Sequence, residues 1–246
     1  MRRTYPRLLM MIGLVAFTAH EPAFAQPALD PPAATADLDL TAVRVRHLTD
    51  LGVLVFEQEV AGTAGATVPE AAGRLDGAPV LGYVFPTTLA PEDVGFAPGE
   101  GVVALAATSH PDFDDTPLWD ENGDRIYDND GRIYHTHWVV LIPDERVPGG
   151  LAVKETKRVQ EDLPPTAPGM PMYLDSPGFA VLLRGKVLRI PVPVDRVGGR
   201  TDFRFDGVTA YMQVNQSDPN RPLLGVYRVY EVLSGDLSLP YAITQE

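Results

Sequence analysis

Short apolar segments separated by Gly and Pro run along most of the chain and predict β-strands. Residues 40–47 and 53–60 both alternate apolar with polar positions across a short turn, which is typical of an antiparallel hairpin with one face in water. Strands are also predicted at 80–85, 101–108, 133–142, 179–183, 186–192, 201–205, 208–214 and 224–233. The pattern indicates an all-β protein, an antiparallel β-sandwich or jelly-roll-like double sheet with long loops and little helix.

Helix is expected at two places only, because 24 prolines and 22 glycines interrupt most windows. One turn is predicted at residues 91–94, and a short helix at 152–163 before Pro164 and Pro165 end it. The Pro/Ala-rich residues 26–36 are interpreted as a flexible lead-in. Residues 37–246 are predicted to form a single domain.

The first 25 residues have the pattern of a secretory signal peptide. Three arginines precede an apolar segment at residues 8–19, and Ala23-Phe24-Ala25 provides a small-x-small cleavage site. Cleavage after Ala25 is predicted, followed by release to a periplasm or the cell exterior. The remaining chain contains no apolar segment long enough to span a bilayer, so membrane insertion is not expected.

Charge and cysteine content exclude several classes of function. The formal net charge is −13 at pH 7, which disfavours nucleic acid and anionic lipid as partners and favours cations. The chain has no cysteine, so thiol catalysis and thiolate metal sites are excluded.

Residues 109–141 concentrate the side chains that could bind metal ions. His135 and His137 are two apart in a predicted strand, so both imidazoles should lie on one face and reach one ion. His47, His110 and a carboxylate of the adjoining loop are all candidates for a third ligand. We favour His110, because the same loop connects it to His135, whereas His47 is more simply a hydrogen-bonded, partly buried side chain. Copper or zinc is the expected metal.

An acidic loop lies between His110 and His135. Asp120, Asn122 and Asp124 have the alternating spacing that begins many calcium loops, and Asp128 and Asp130 repeat part of it. An EF-hand is rejected, because Arg125 stands where the sixth-position Gly is required and no flanking helices are predicted. The alternatives are a structural calcium site and a solvated acidic loop with self-satisfied turns.

His135-Thr136-His137 resembles part of the cupin signature, in which a Gly precedes His-x-His and a Glu and a Gly follow. The spacing differs here, since Gly131 lies too close to His135 and Glu145 too far from His137. The resemblance therefore implies at most a double-stranded β fold and assigns no site residue. Met170-Pro171-Met172 is a weaker signal, consistent with copper(I) ligation but more typical of packing.

Three functions follow from these patterns. The leading hypothesis is an exported, non-enzymatic protein that binds copper or zinc through His135, His137 and His110. The second is a mononuclear metalloenzyme of cupin-like β fold, with Asp114 or Asp115 as a general base. The third is a calcium-dependent module with a carbohydrate or envelope partner, in which aromatic side chains near the loop stack on sugar: Trp119, Tyr127, Tyr134 and Trp138.

Overall fold

The computed structural model describes residues 30–112, 125 and 133–246, and the regular secondary structure of this part of the chain is almost entirely β-strand. Its helical segments are α1 (Val159–Asp162) and two 3₁₀ turns, Pro91–Val94 and Val194–Val197. The strands are β1 (Leu40–Leu48), β2 (Val53–Val60), β3 (Pro79–Pro86), β4 (Val102–Ser109), β5 (His135–Pro143), β6 (Leu151–Val153), β7 (Leu174–Asp175), β8 (Leu182–Arg184), β9 (Val187–Pro193), β10 (Arg204–Phe205), β11 (Val208–Val214), β12 (Leu224–Val232), β13 (Tyr241–Ala242) and β14 (Thr244–Gln245).

Six strands form a sheet that closes on itself. They follow one another in the order β4, β3, β11, β12, β6 and β5, and β5 pairs with β4 to complete the circle. β7 adds to the free part of β5, where Val139 pairs with Leu174. Small and aliphatic residues point to the inside, among them Ala106, Ala210 and Val226. Because these side chains are small, they do not fill the interior.

A second sheet of five strands, in the order β14, β1, β2, β9 and β8, packs on the closed sheet. Its inner face contributes Leu54, Phe56 and Ile190 to a large core that also contains Trp138 and Phe85 from the outer face of the closed sheet. Phe56 is fully buried and contacts three aromatic rings, with centroid distances of 5.4 Å to Phe85, 6.3 Å to Trp138 and 6.0 Å to Phe203. The main core therefore lies between the sheets.

The prediction of an all-β fold with little helix is confirmed, whereas the sandwich or jelly-roll arrangement is not confirmed, since the larger sheet is closed. The β1–β2 hairpin and the turn at residues 91–94 are present. The helix predicted at 152–163 is wrong over most of its length: Leu151–Val153 joins the closed sheet, and only Val159–Asp162 is helical. Pairing with two neighbouring strands outweighs the weak helical preference there.

Residues 30–36 of the lead-in lie against the sheets at several points. The carbonyl oxygen of Pro32 accepts hydrogen bonds from Arg228 and Tyr230, and that of Ala36 accepts one from the Gly62 N–H. None of the described residues belongs to a helix of the length and apolarity needed to cross a membrane.

A buried carboxylate crosslinks the outer face of the five-stranded sheet. Glu57 on β2 accepts hydrogen bonds from Arg44 on β1 at 2.8 Å and from Arg189 on β9 at 2.6 Å. Burial raises the pKa of Glu57, but the hydrogen bonds and charges of Arg189 and Arg44 outweigh this effect and hold the pKa below its ordinary value. The ionised form of Glu57 therefore stabilises the folded state.

Glu57→Gln is expected to lower the free energy of unfolding at pH 7 by about 1–3 kcal/mol, because charged hydrogen bonds to two strands are lost. The folded-state pKa lies below the unfolded one, so this contribution is present above the unfolded pKa and is lost as the pH falls through the folded pKa. Urea unfolding from pH 7 to pH 3 should show the difference between wild type and variant shrinking below about pH 4. Glu59→Gln is the control, since Glu59 contacts Arg44 only at 3.5 Å. An equal loss in both variants would contradict the assignment.

Candidate metal centre

The pairing of β4 with β5 brings three histidines to one end of the closed sheet. Thr108 pairs with His135 and Ala106 pairs with His137, so these side chains all point inward. His110 follows β4 by one residue and continues the inward alternation of residues 106 and 108. Ala106 is small and lies directly opposite His137, which leaves room for the imidazole.

The three side chains form a buried cluster. His110, His135 and His137 are 1%, 1% and 2% exposed, and each offers a ring nitrogen within 4.8 Å of the nitrogens offered by the other two. The ring centroids of His135 lie 4.5 Å from His110 and 4.8 Å from His137, with His110 and His137 5.9 Å apart. Zinc–nitrogen bonds of about 2.0–2.1 Å place the nitrogens of a tetrahedral site about 3.3 Å apart. The three ring nitrogens could therefore hold one ion if they moved closer together.

Hydrogen bonds at Nδ1 orient two of the rings. His135 Nδ1 lies 2.7 Å from the carbonyl oxygen of Ile133, which can only accept, so Nδ1 carries the proton and Nε2 keeps its lone pair in the neutral ring. His137 Nδ1 lies 3.2 Å from Ser176 Oγ. Partners of this kind set the tautomer and ring orientation in metal-binding histidines.

Ser176 is a site residue that the sequence did not reveal. It is 39 residues from His137, and no motif links the two. The pairing of Asp175 with Trp138 fixes it on one side, and hydrogen bonds between Thr136 and Phe179 fix it on the other. Strand pairing thus holds the Ser176 hydroxyl beside His137.

The neighbouring Asp175 adds a buried carboxyl group on the opposite face of β7. It is 2% exposed, and burial raises its pKa above the ordinary value despite hydrogen bonds from Thr166 and the Ser176 backbone. Its partner Trp138 lies in the core between the sheets, so Asp175 faces that core rather than the histidines. We therefore assign Asp175 no part in metal binding.

A cavity of about 350 Å³ occupies the inside of the closed sheet, and His110 and His137 form part of its wall. Nearly all other wall residues are aliphatic or Met, with Thr108 beside the histidines. The wall away from the histidines includes Val229, which is 38% exposed.

Comparison with protein-family models, with curated proteins and with solved structures finds no match. Three neutral imidazoles and a dication would make a buried complex of charge +2, because the cluster found among the described residues contains no carboxylate. An anionic ligand in the remaining position would offset this charge.

The other predicted site residues divide into two groups. His47 does not join the cluster; it lies on β1, where its Nδ1 is 3.0 Å from Gln245 Oε1. The calcium-loop candidates all lie outside the described residues: Asp120, Asn122, Asp124, Asp128 and Asp130. The same holds for Asp114, Asp115, Trp119 and Tyr127.

The aromatic and methionine side chains near the site take part in the packing of the fold. Tyr134 and Trp138 are 4% and 1% exposed, so their predicted role in an exposed sugar-stacking surface is wrong. Tyr134 donates a hydrogen bond to the Thr67 carbonyl oxygen, and Trp138 packs between the sheets. Met170 and Met172 line the cavity and pack with its aliphatic residues.

Proposed function

We propose that this chain binds one transition-metal ion, copper or zinc, through His110, His135 and His137. The observation that carries the proposal is the buried cluster of three imidazoles whose ligand nitrogens lie within 4.8 Å of one another. The hydrogen bonds at Nδ1 of His135 and His137 support the same role.

Elemental analysis of the native protein, purified without chelator or a His tag, tests the proposal. About one copper or zinc ion per chain is expected, and dialysis against a chelator should release it. Calcium alone would instead support the acidic loop as the metal site. A chain that contains no metal and takes up none on titration with copper or zinc would overturn the proposal.

A mononuclear metalloenzyme is the second candidate. The cavity favours it over a protein that only binds the metal ion in a closed site. Three protein ligands leave a coordination position open, as in catalytic zinc sites. Since His110 and His137 line the cavity, a metal between them would be accessible to a small molecule inside it. A calcium-dependent module with a carbohydrate or envelope partner is the third candidate, and the Asp and Asn residues of the acidic loop support it.

Export is part of the same proposal. Arg2, Arg3 and Arg7, the apolar residues 8–19 and the Ala23-Phe24-Ala25 site support secretion with cleavage after Ala25. When the full-length chain is expressed in a bacterium, the intact mass of the protein from the periplasm or medium should correspond to a chain that begins at Gln26. Retention of the full-length mass in the cytoplasm would contradict this prediction.

A further inference from the structure

The cavity wall is apolar except at its two ends. Among the described residues that form its wall, the polar side chains lie at two places. Thr108, His110 and His137 lie at the metal end, and Asp236 lies at the other. The wall between them is aliphatic, with residues such as Val84, Val139 and Ala210. Such a wall binds an apolar body and offers it no hydrogen bonds.

The directions of the strands place the polar groups at opposite ends. His135 pairs with Thr108 near the end of β4, whereas Val102 is at its start. β3 is antiparallel to β4, β11 to β3 and β12 to β11, so β12 ends where β4 begins and Val232 lies at the same end as Val102. Val102, Val229 and Asp236 are partly or fully exposed, while the histidines are buried. Solvent therefore reaches the cavity from the end opposite the metal.

Cavity volume sets the size of the occupant. An apolar protein cavity of about 150 Å³ accommodates benzene, with six carbon atoms. In proportion, a cavity of about 350 Å³ accommodates about fourteen non-hydrogen atoms. An unbranched carboxylic acid of about twelve carbons has this size.

Charge determines which end of the molecule faces the metal. A carboxylate would offset half of the charge of a dication held by three neutral imidazoles and provide an oxygen ligand. At the open end the Asp236 carboxylate would repel it. Hydrogen bonds from Ser238 hold the pKa of Asp236 below its ordinary value, so Asp236 is ionised at neutral pH. The two ends together favour a carboxylate at the histidines and an alkyl chain along the cavity.

We propose that the cavity binds a medium-chain aliphatic monocarboxylate, with its carboxylate on the metal held by His110, His135 and His137 and its chain against the aliphatic wall. The proposal rests on the metal site proposed above. It names a class of ligand or substrate for that site, because the three-histidine centre would select the carboxylate head group and the apolar cavity would select the alkyl chain.

Calorimetric titration of dodecanoate into the zinc-loaded protein tests the proposal, with zinc content measured first. Butyrate keeps the carboxylate and lacks the chain, and it should bind at least about a hundredfold more weakly. Dodecan-1-ol keeps the chain and lacks the carboxylate, and it should bind at least about tenfold more weakly. Removing zinc should weaken dodecanoate binding by at least about tenfold and bring its affinity close to that of the alcohol.

Two variants separate the cavity from the metal. Ala210→Leu fills the middle of the cavity, and Val229→Asp adds a charge at its partly exposed end. Each should weaken dodecanoate binding by at least about tenfold and leave one zinc per chain. Val68→Asp is the matched control, because Val68 is 37% exposed and lies outside the cavity wall. Since Val229 and Val68 are similarly exposed, these two variants give a clear comparison even if Ala210→Leu unfolds.

The outcomes distinguish the two proposals. Stoichiometric zinc without measurable dodecanoate binding would overturn the ligand proposal and leave the metal site standing. Equal affinity for dodecanoate with and without zinc, or equal affinity for acid and alcohol, would also overturn it. Failure to take up zinc or copper would overturn the metal site and, with it, the ligand proposal.

Discussion

The variant carrying both His135→Ala and His137→Ala is expected to lose stoichiometric binding of copper or zinc while remaining folded. Two of the three ligands disappear, and the single remaining imidazole of His110 cannot hold the ion against water. We expect the affinity to fall by at least about a thousandfold, since loss of a group that only orients a ligand already costs about 10–100-fold. Competitive titration with a chromophoric chelator measures this change, and circular dichroism reports folding.

Matched variants make the result specific. His47→Ala should leave metal binding unchanged, because His47 lies on β1 and bonds Gln245. Ser176→Ala should weaken binding only by about 10–100-fold, as expected for a residue that orients His137. Replacing both ligands with Gln preserves more side-chain volume and serves if the alanine variant unfolds. Undiminished metal uptake by either folded double variant would eliminate the three-histidine site.

Phe56→Ala is expected to lower the free energy of unfolding by about 3–5 kcal/mol, the largest stability effect that we predict. The ring is fully buried between the two sheets and contacts Phe85, Trp138 and Phe203. Its removal leaves a cavity that the surrounding strands cannot close, because both sheets are held by their own hydrogen bonds. Equilibrium unfolding in urea measures the loss.

Leu51→Ala is the control for this experiment. Leu51 is 66% exposed in the turn between β1 and β2, so its removal should change the free energy of unfolding by no more than about 0.5 kcal/mol. The aromatic rings that contact Phe56 are those of Phe85, Trp138 and Phe203 and not those of the three histidines. The folded variant should therefore still bind metal. A loss below about 1 kcal/mol would show that the contact between the sheets contributes less than its burial implies.

The strands were predictable where the chain alternates. The predicted strand at 53–60 coincides with β2, and that at 208–214 with β11, because one face of each strand is more apolar than the other. β6, β7, β13 and β14 were missed. They are two or three residues long, too short for a period to show, and exist because a neighbouring strand offers hydrogen bonds.

The metal-binding candidates were predictable only in part. His135 and His137 share a face because strand side chains alternate, which is a local property visible in three residues. The choice of His110 as their partner is supported by the cluster, but its position depends on the register between β4 and β5. Recognising Ser176 as a neighbour of His137 required the additional pairing of β7 with β5, and no local pattern between residues 137 and 176 indicates that contact.

By itself, the sequence determined the all-β composition, most strand positions and the presence of two histidines on one strand face. These features follow from alternation and from the backbone restrictions of Pro and Gly, which act over a few residues. The tertiary structure alone decided that the larger sheet closes, that His110 rather than His47 joins the pair and that an apolar cavity lies beneath them. Closure depends on pairings such as β3 with β11, between segments more than a hundred residues apart, and no local pattern specifies which strands become neighbours.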